Sequence, residues 1–177
     1  MGDFFVKTPL TRDNIRAFKA GDTVLITGVM FTARDAAHMR IQKMLDNNEP
    51  LPFSLENQII YYTGPTPPAP GKVIGSAGPT TSYRMDDFTP RLIKEGVCAT
   101  IGKGNRSKDV VDAMKKYGAV YLAALGGGAA LLSQKIKSAQ IVAFPELGAE
   151  AVRKLEVEDF PVIVAIDVNG TNLYERE

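Results

Sequence analysis

With 177 residues the chain fits a single domain by length, and its 45% apolar content supplies a sizeable core that excludes a disordered chain. Lysine plus arginine total 21 against 20 aspartates and glutamates, so the net charge of +1 argues against a nucleic-acid or membrane-surface binder that depends on a basic field. One cysteine, Cys98, and one histidine, His38, exclude a zinc site or an iron–sulfur cluster built from this chain's sulfur and imidazole alone, and exclude an internal disulfide.

Met1 to Leu10 carries Asp3 and Lys7 where a signal peptide needs an unbroken apolar run. With the lone cysteine this reads as a soluble, cytoplasmic, single-domain protein over residues 1–177. A strand is expected over 23–30, rich in β-branched and aliphatic residues, followed by a helix over 35–45 with Ala37, Ile41, Met44 and Leu45 on one face. Short strands at 59–62 and 73–76 flank the Pro-rich loop 64–70, whose backbone is fixed near polyproline geometry. Then come a helix over 85–95 containing Pro90, a strand at 98–101, and a helix over 107–117 with Ser107 as N-cap. Further strands are expected at 119–123, 140–144 and 162–168. Asn169-Gly170 signals a tight hairpin turn returning through Leu173 and Tyr174. The uncharged stretch 117–134 approaches membrane-span length, but Gly118 and the triplet Gly126, Gly127 and Gly128 make it a strand–loop–helix passage. Alternating strands and helices closed by a hairpin give an α/β fold with a mixed sheet.

Three segments lie where strands give way to helices, the place where open α/β sheets gather ligands. Thr32-Ala33-Arg34-Asp35-Ala36-Ala37-His38 offers Arg34; ordinary capping by Thr32 and Asp35 with a solvated Arg34, and a packed His38, read equally from the same residues. Gly75 to Asp86 places glycines, the hydroxyls of Thr80, Thr81 and Ser82, and Arg84 before a helix. Three adjacent hydroxyls exceed capping needs, and Arg84 supplies a fork matched to a carboxylate. Gly102-Lys103-Gly104 departs from a phosphate loop, because five residues separate Gly96 from Gly102 and Gly104 follows the lysine; it presents Lys103 to a small anion or makes a plain turn. The glycines at 126–128 lack a dinucleotide pattern and read as close backbone approach to a substrate or partner. Glu146, Glu150, Arg153 and Lys154 read as a solvated helix face. Arg34, Arg84 and Lys103 around hydroxyls suit a small polycarboxylate.

The motifs Thr32–His38, Gly78-Pro79-Thr80-Thr81-Ser82-Tyr83-Arg84-Met85-Asp86 and Ile101-Gly102-Lys103-Gly104, with Asp159-Phe160-Pro161 beyond them, resemble class I fumarate hydratases. The likeness is to the C-terminal domain, which some members encode as a separate β subunit, and extends to tartrate dehydratase β subunits. This resemblance implies a three-layer β/β/α swivelling domain and a reversible hydro-lyase interconverting fumarate and (S)-malate. It also implies a four-iron, four-sulfur cluster held by a partner α subunit in a hetero-oligomer, with no metal ligand in this chain. Carried over by position, Arg34 and Arg84 bind substrate carboxylates with Thr81 and Ser82, Lys103 supports them, and Thr80 is the base. Tyr83, where many relatives carry a smaller residue, narrows the pocket or packs on the partner. The alternatives are the same chemistry on tartrate, yielding oxaloacetate, and a non-catalytic anion-binding regulatory subunit.

Overall fold

In the computed structural model, which describes residues 1–125 and 128–176, the chain opens with a strand β1 (Asp3–Lys7) and a helix α1 (Arg12–Ala17). Thr11 and Asn14 cap α1 reciprocally, each side chain accepting from the other's backbone amide. Then follow β2 (Thr23–Thr32), α2 (Asp35–Asp46), β3 (Ile59–Tyr61), a 3₁₀ turn at Ser82–Met85, and α3 (Thr89–Lys94). The second half contains β4 (Ala99–Gly102), α4 (Lys108–Tyr117), β5 (Val120–Ala124), α5 (Ala129–Gln134), β6 (Ile136–Ala143), a 3₁₀ turn at Pro145–Glu150, β7 (Val152–Ile166), and a last 3₁₀ turn at Leu173–Glu175.

The sheet runs β1-β2-β3-β4-β5-β7-β6, and β2 also pairs with β7, so β2, β3, β4, β5 and β7 close a ring. Strands β1 to β5 are mutually parallel, while β7 is antiparallel to β2, β5 and β6. The fifteen-residue β7 serves two neighbours by bending: its first half lies between β6 and β2, its second between β5 and β2. At the bend Asp159 takes φ +50°, and its amide donates to Thr27 Oγ1 at 3.1 Å.

Alternation along the strands sorts the side chains into layers. Ile59, Tyr61, Ala99, Ile101, Val120 and Leu122 face inward, against Val24, Ile26 and Met30 of β2 and Leu155, Phe160 and Val162 of β7. The opposite face of the parallel strands meets helices. Ile60 and Phe31 pack with Ala37, Ile41 and Leu92, while Tyr121 packs with Val110, Ala113 and Met114. Strand layer, strand layer and helix layer follow in that order, a mixed α/β arrangement of β/β/α type. Each fully buried aliphatic side chain contributes roughly 1.5–3 kcal/mol of transfer free energy to it.

Several expectations are corrected. Residues 73–76 form no strand; Ser76 and Thr66 bond to each other across the Pro-rich loop and use up the backbone groups a sheet would need. The helix expected over 85–95 is shorter, beginning at Thr89 with Pro90 in its first turn, where the missing N–H costs nothing. Arg153 and Lys154 lie in β7, and Glu146 and Glu150 in a 3₁₀ turn, so they share no α-helical face. The turn at Asn169-Gly170 is present with Gly170 at φ +81°, yet the returning chain makes one bridge, Ile166 to Asn172, before turning 3₁₀. Asp167 explains this, accepting from the amides of Asn169 and Thr171 and curling the segment inward. Gly126 and Gly127 of the glycine triplet lie outside the described residues. Among the described residues no helix is long and apolar enough to cross a membrane.

Candidate active site

Because β2, β3 and β4 are parallel neighbours, their carboxyl ends share one edge. Arg34 stands two residues past β2, Gly64 three past β3, and Lys103 directly past β4. The segment Gly78 to Ser82 is laid across this edge by hydrogen bonds to residues just past the strand ends. Thr63 Oγ1 donates to Gly78 O at 2.7 Å, Thr80 N to Tyr62 O at 2.6 Å, and Ser82 N to Lys103 O at 2.9 Å. Thr81 and Lys103 form a parallel bridge. Two glycines permit the crossing. A Cβ on Gly102 would overlap Ser82 Oγ and stand 2.9 Å from the Tyr62 ring. One on Gly64 would stand 3.0 Å from Arg34 Cδ.

Arg34 is the N-cap residue of α2 and gives that helix no side-chain cap. Glu150 supplies the missing acceptor from the 3₁₀ turn before β7, its Oε1 taking the Ala36 amide at 3.1 Å. Asp35 then lies between two guanidiniums. Its Oδ1 accepts from Arg84 Nε at 3.1 Å, and its Oδ2 is 3.8 Å from Arg34 Nη2. Arg34 Nε, Asp35 Oδ2 and His38 Nε2 are buried without a hydrogen-bond partner among the described residues. One turn on, His38 Nδ1 donates to Arg34 O at 2.7 Å, which fixes its tautomer. Burial pushes this imidazole down to about 4, with the Arg106 charge adding to the effect and the Arg34 carbonyl opposing it. The His38 ring packs edge-on against Tyr62.

Beneath the edge lies a polar network that sequence reasoning missed. The Arg106 side chain is fully buried, and its nitrogens donate to Asp86 Oδ1 at 2.6 Å, Thr100 Oγ1 at 3.0 Å, Tyr62 OH at 3.1 Å and Thr89 Oγ1 at 2.7 Å. Its guanidinium carbon also sits 4.8 Å from the Tyr121 ring centre. Desolvation opposes this charge, and the Tyr62 oxygen and Asp86 carboxylate outweigh it, so the net shift is upward. Asp86 Oδ2 takes the Ser107 amide at 2.6 Å, fastening the loop that carries Arg84 to the start of α4. No local sequence signal pointed to Arg106, because its acceptors lie 6 to 44 residues away in the chain.

Of the residues singled out from sequence, the fold brings Arg34, Arg84, Thr80, Thr81 and Lys103 to one edge. Arg84 is half-exposed, Thr80 and Thr81 are partly exposed, and Lys103 is exposed. Ser82 is enclosed instead, with its Oγ 2.8 Å from Tyr121 OH. Tyr83 projects outward, 67% exposed, beside Arg84.

Residues 3–177 match the family model described as Fumarase C-terminus. The chain belongs to that family. It is 43% identical over 175 residues to "Fumarate hydratase 2" of Leishmania major, covering 97% of this chain and 31% of that protein. With "Fumarate hydratase class I, aerobic" of Escherichia coli it shares 42% identity over 153 residues, 85% of this chain and 28% of the relative. With "Putative L(+)-tartrate dehydratase subunit beta" of Methanocaldococcus jannaschii it shares 45% identity over 173 residues, 94% and 89% of the two chains. This member of the Fumarase C-terminus family thus spans about a third or less of the two fumarate hydratases and nearly all of the β subunit.

The iron–sulfur cluster implied by the class I fumarase resemblance does not fit the donors of this chain. Among the described residues no group of three or more histidines, cysteines and carboxylates is placed to hold a metal. Cys98 is buried, its thiol pushed up to about 12 by desolvation and its Sγ turned to Gln58 O at 3.4 Å, the opposite of a thiolate ligand.

Proposed function

We propose that this chain is the β subunit of an iron–sulfur-dependent hydro-lyase interconverting fumarate and (S)-malate, and that it supplies the carboxylate-binding half of an active site completed by a cluster-bearing α subunit. The carrying observation is that Arg34 and Arg84, from different loops, converge on one carboxylate, that of Asp35. A small dicarboxylate offers the same group to the same two forks.

In the dehydrating direction a proton leaves the carbon beside one carboxylate, hydroxide leaves the neighbouring carbon, and a double bond forms with release of water. Arg34 and Arg84 orient the carboxylates, and Lys103 adds a positive charge at the end of β4. Thr81 lies on the same edge, bridged to Lys103, while Ser82, committed to Tyr121, holds the loop. Thr80 is assigned to take the carbon-bound proton. A free hydroxyl is a weak base, so this assignment requires a proton acceptor brought within reach when the partner closes the site. The cluster lies on the partner in this reading, and no step of this chain depends on holding it.

The match along 89% of a tartrate dehydratase β subunit favours a second substrate, tartrate, turned over by the same clamp. The test is anaerobic: capture the complex from its source with this chain as bait, then assay fumarate and tartrate separately. An iron–sulfur partner with fumarate hydration supports the first reading, and tartrate turnover alone replaces it with the second. Full-rate hydration by the isolated chain refutes the subunit reading, and a complex active on neither acid leaves an anion-binding regulatory subunit. Within the active complex Arg84→Lys keeps the charge and loses the fork, so kcat/KM is expected to fall by about a hundredfold, equivalent to about 2.7 kcal/mol.

A further inference from the structure

We propose that Asp35 is a built-in competitor for the carboxylate clamp: it holds Arg84 and Arg34 in place in the empty site and yields Arg84 when a ligand carboxylate arrives. This rests on the clamp reading above and adds a positioning residue to it.

Asp35 has little else to do. The usual role of an acidic residue at a helix start is to satisfy amides, and at α2 the Ala36 amide is already taken by Glu150. The Asp35 side chain, 31% exposed, turns to the arginines, yet its grip is single-pointed on each: one hydrogen bond at 3.1 Å to Arg84 and a looser 3.8 Å approach to Arg34. Arg34 Nε and Asp35 Oδ2, both buried, are left without hydrogen bonds among the described residues. An incoming carboxylate with two free oxygens makes the bidentate contact that Asp35 does not, so exchange of Arg84 from Asp35 to the ligand is favourable. The negative charge of Asp35 beside the bound dianion then limits affinity. A group that aligns the arginines and weakens ligand binding raises turnover at the expense of tightness.

The test uses the intact complex with its partner chain. The probe is succinate, a four-carbon dicarboxylate with neither hydroxyl nor double bond. Asp35→Asn is expected to tighten succinate binding about tenfold and to lower kcat about tenfold, because the competing charge and the anchor are lost together. Asp35→Glu, which keeps the charge, leaves succinate affinity within about twofold. Should the Asn variant fail to fold, Asp35→Ser gives a second neutral side chain with a short polar group at the helix start. Unchanged or weakened succinate binding in a folded neutral variant overturns the proposal, whatever happens to its melting temperature. Arg84→Lys separates this failure from that of the clamp. If succinate affinity survives Arg84→Lys, the clamp reading itself is wrong; if it collapses while Asp35→Asn changes nothing, Asp35 alone has been misassigned.

Discussion

Arg106 provides the sharpest energetic test, because all its contacts are internal. Replacing it with methionine keeps a long flexible side chain and removes the guanidinium. The Asp86 carboxylate, 9% exposed, is then left with the Ser107 amide as its remaining partner, and the hydroxyls of Thr100, Tyr62 and Thr89 lose a donor. Removing one member of a buried ion pair costs about 3–5 kcal/mol, since the other charge stays desolvated. At about 2–4 °C per kcal/mol for a domain of this size, Arg106→Met is expected to melt about 6–20 °C below the parent. Asp86→Asn preserves shape and should cost about 3 kcal/mol by the same reasoning, with Arg106 now the stranded charge. The double variant strands neither charge, so denaturant titration should give a combined loss smaller than the sum by more than about 1 kcal/mol. A melting change below about 3 °C for Arg106→Met, or strictly additive losses, refutes the claim that this pair staples the Arg84 loop to α4.

Three further outcomes follow from named contacts. His38 is neutral and buried, titrating near 4 in the native state against about 6.5 in an unfolded chain, so the unfolded state binds protons first as the pH falls. Stability should therefore hold above about pH 7 and decline between about pH 6.5 and 4, by about 3 kcal/mol in full. His38→Asn keeps a donor toward Arg34 O and should remove that part of the pH slope in denaturant titrations. Gly102→Ala pushes a methyl into Ser82 Oγ and the Tyr62 ring, for an overpacking cost of about 1–3 kcal/mol and a displaced Thr80–Ser82 segment. A crystal structure of the variant with that segment unmoved would contradict the steric argument. Ser107→Ala deletes the acceptor for the Val110 amide at the start of α4 and should cost about 1 kcal/mol by thermal melting.

Several elements that depend on local chemistry were legible in the sequence. The strand at Thr23–Thr32, the α2 helix and the Ser107 cap follow from side-chain period and capping residues, and their observed bounds differ from expectation by two residues or fewer. What depended on distant partners was not. Residues 152–161 carry Arg153, Lys154, Glu156, Glu158 and Asp159, a composition that suits an exposed helix. They form a strand because β2 and β6 supply hydrogen bonds on either side. β1 is likewise held by β2 alone and alternates only weakly in burial. In the site, Arg34, Arg84 and Lys103 could be named because each follows a strand or precedes a helix. Arg106 could not, since its four acceptors come from segments spanning residues 62 to 100 and meet only after the loop has crossed the sheet edge.

The contrast between two arginines shows where such a site draws its reactivity. Arg106 has every nitrogen engaged, lies under the loop, and is held by a carboxylate that also fastens a helix start. Four of its five N–H donors are taken by internal acceptors and its side chain is fully buried, so it has nothing to offer a ligand. Arg34 sits at a helix start that it does not cap, runs along a glycine that leaves room for its stem, and keeps a buried Nε without an acceptor among the described residues. An unmatched buried donor costs about 1–3 kcal/mol, and that cost is recovered only when an anion supplies the missing acceptor. The tightly satisfied network around Arg106 supports this incompleteness, because it holds the Arg84 loop where the two guanidiniums can meet one carboxylate. Filling the gap internally, for example by Gly64→Ser with its hydroxyl toward Arg34, should raise stability only if the added Cβ, 3.0 Å from Arg34 Cδ, can be accommodated, and should weaken dicarboxylate binding in either case. Tighter binding in Gly64→Ser would mean that Arg34 does not recruit the ligand through its unmatched donor.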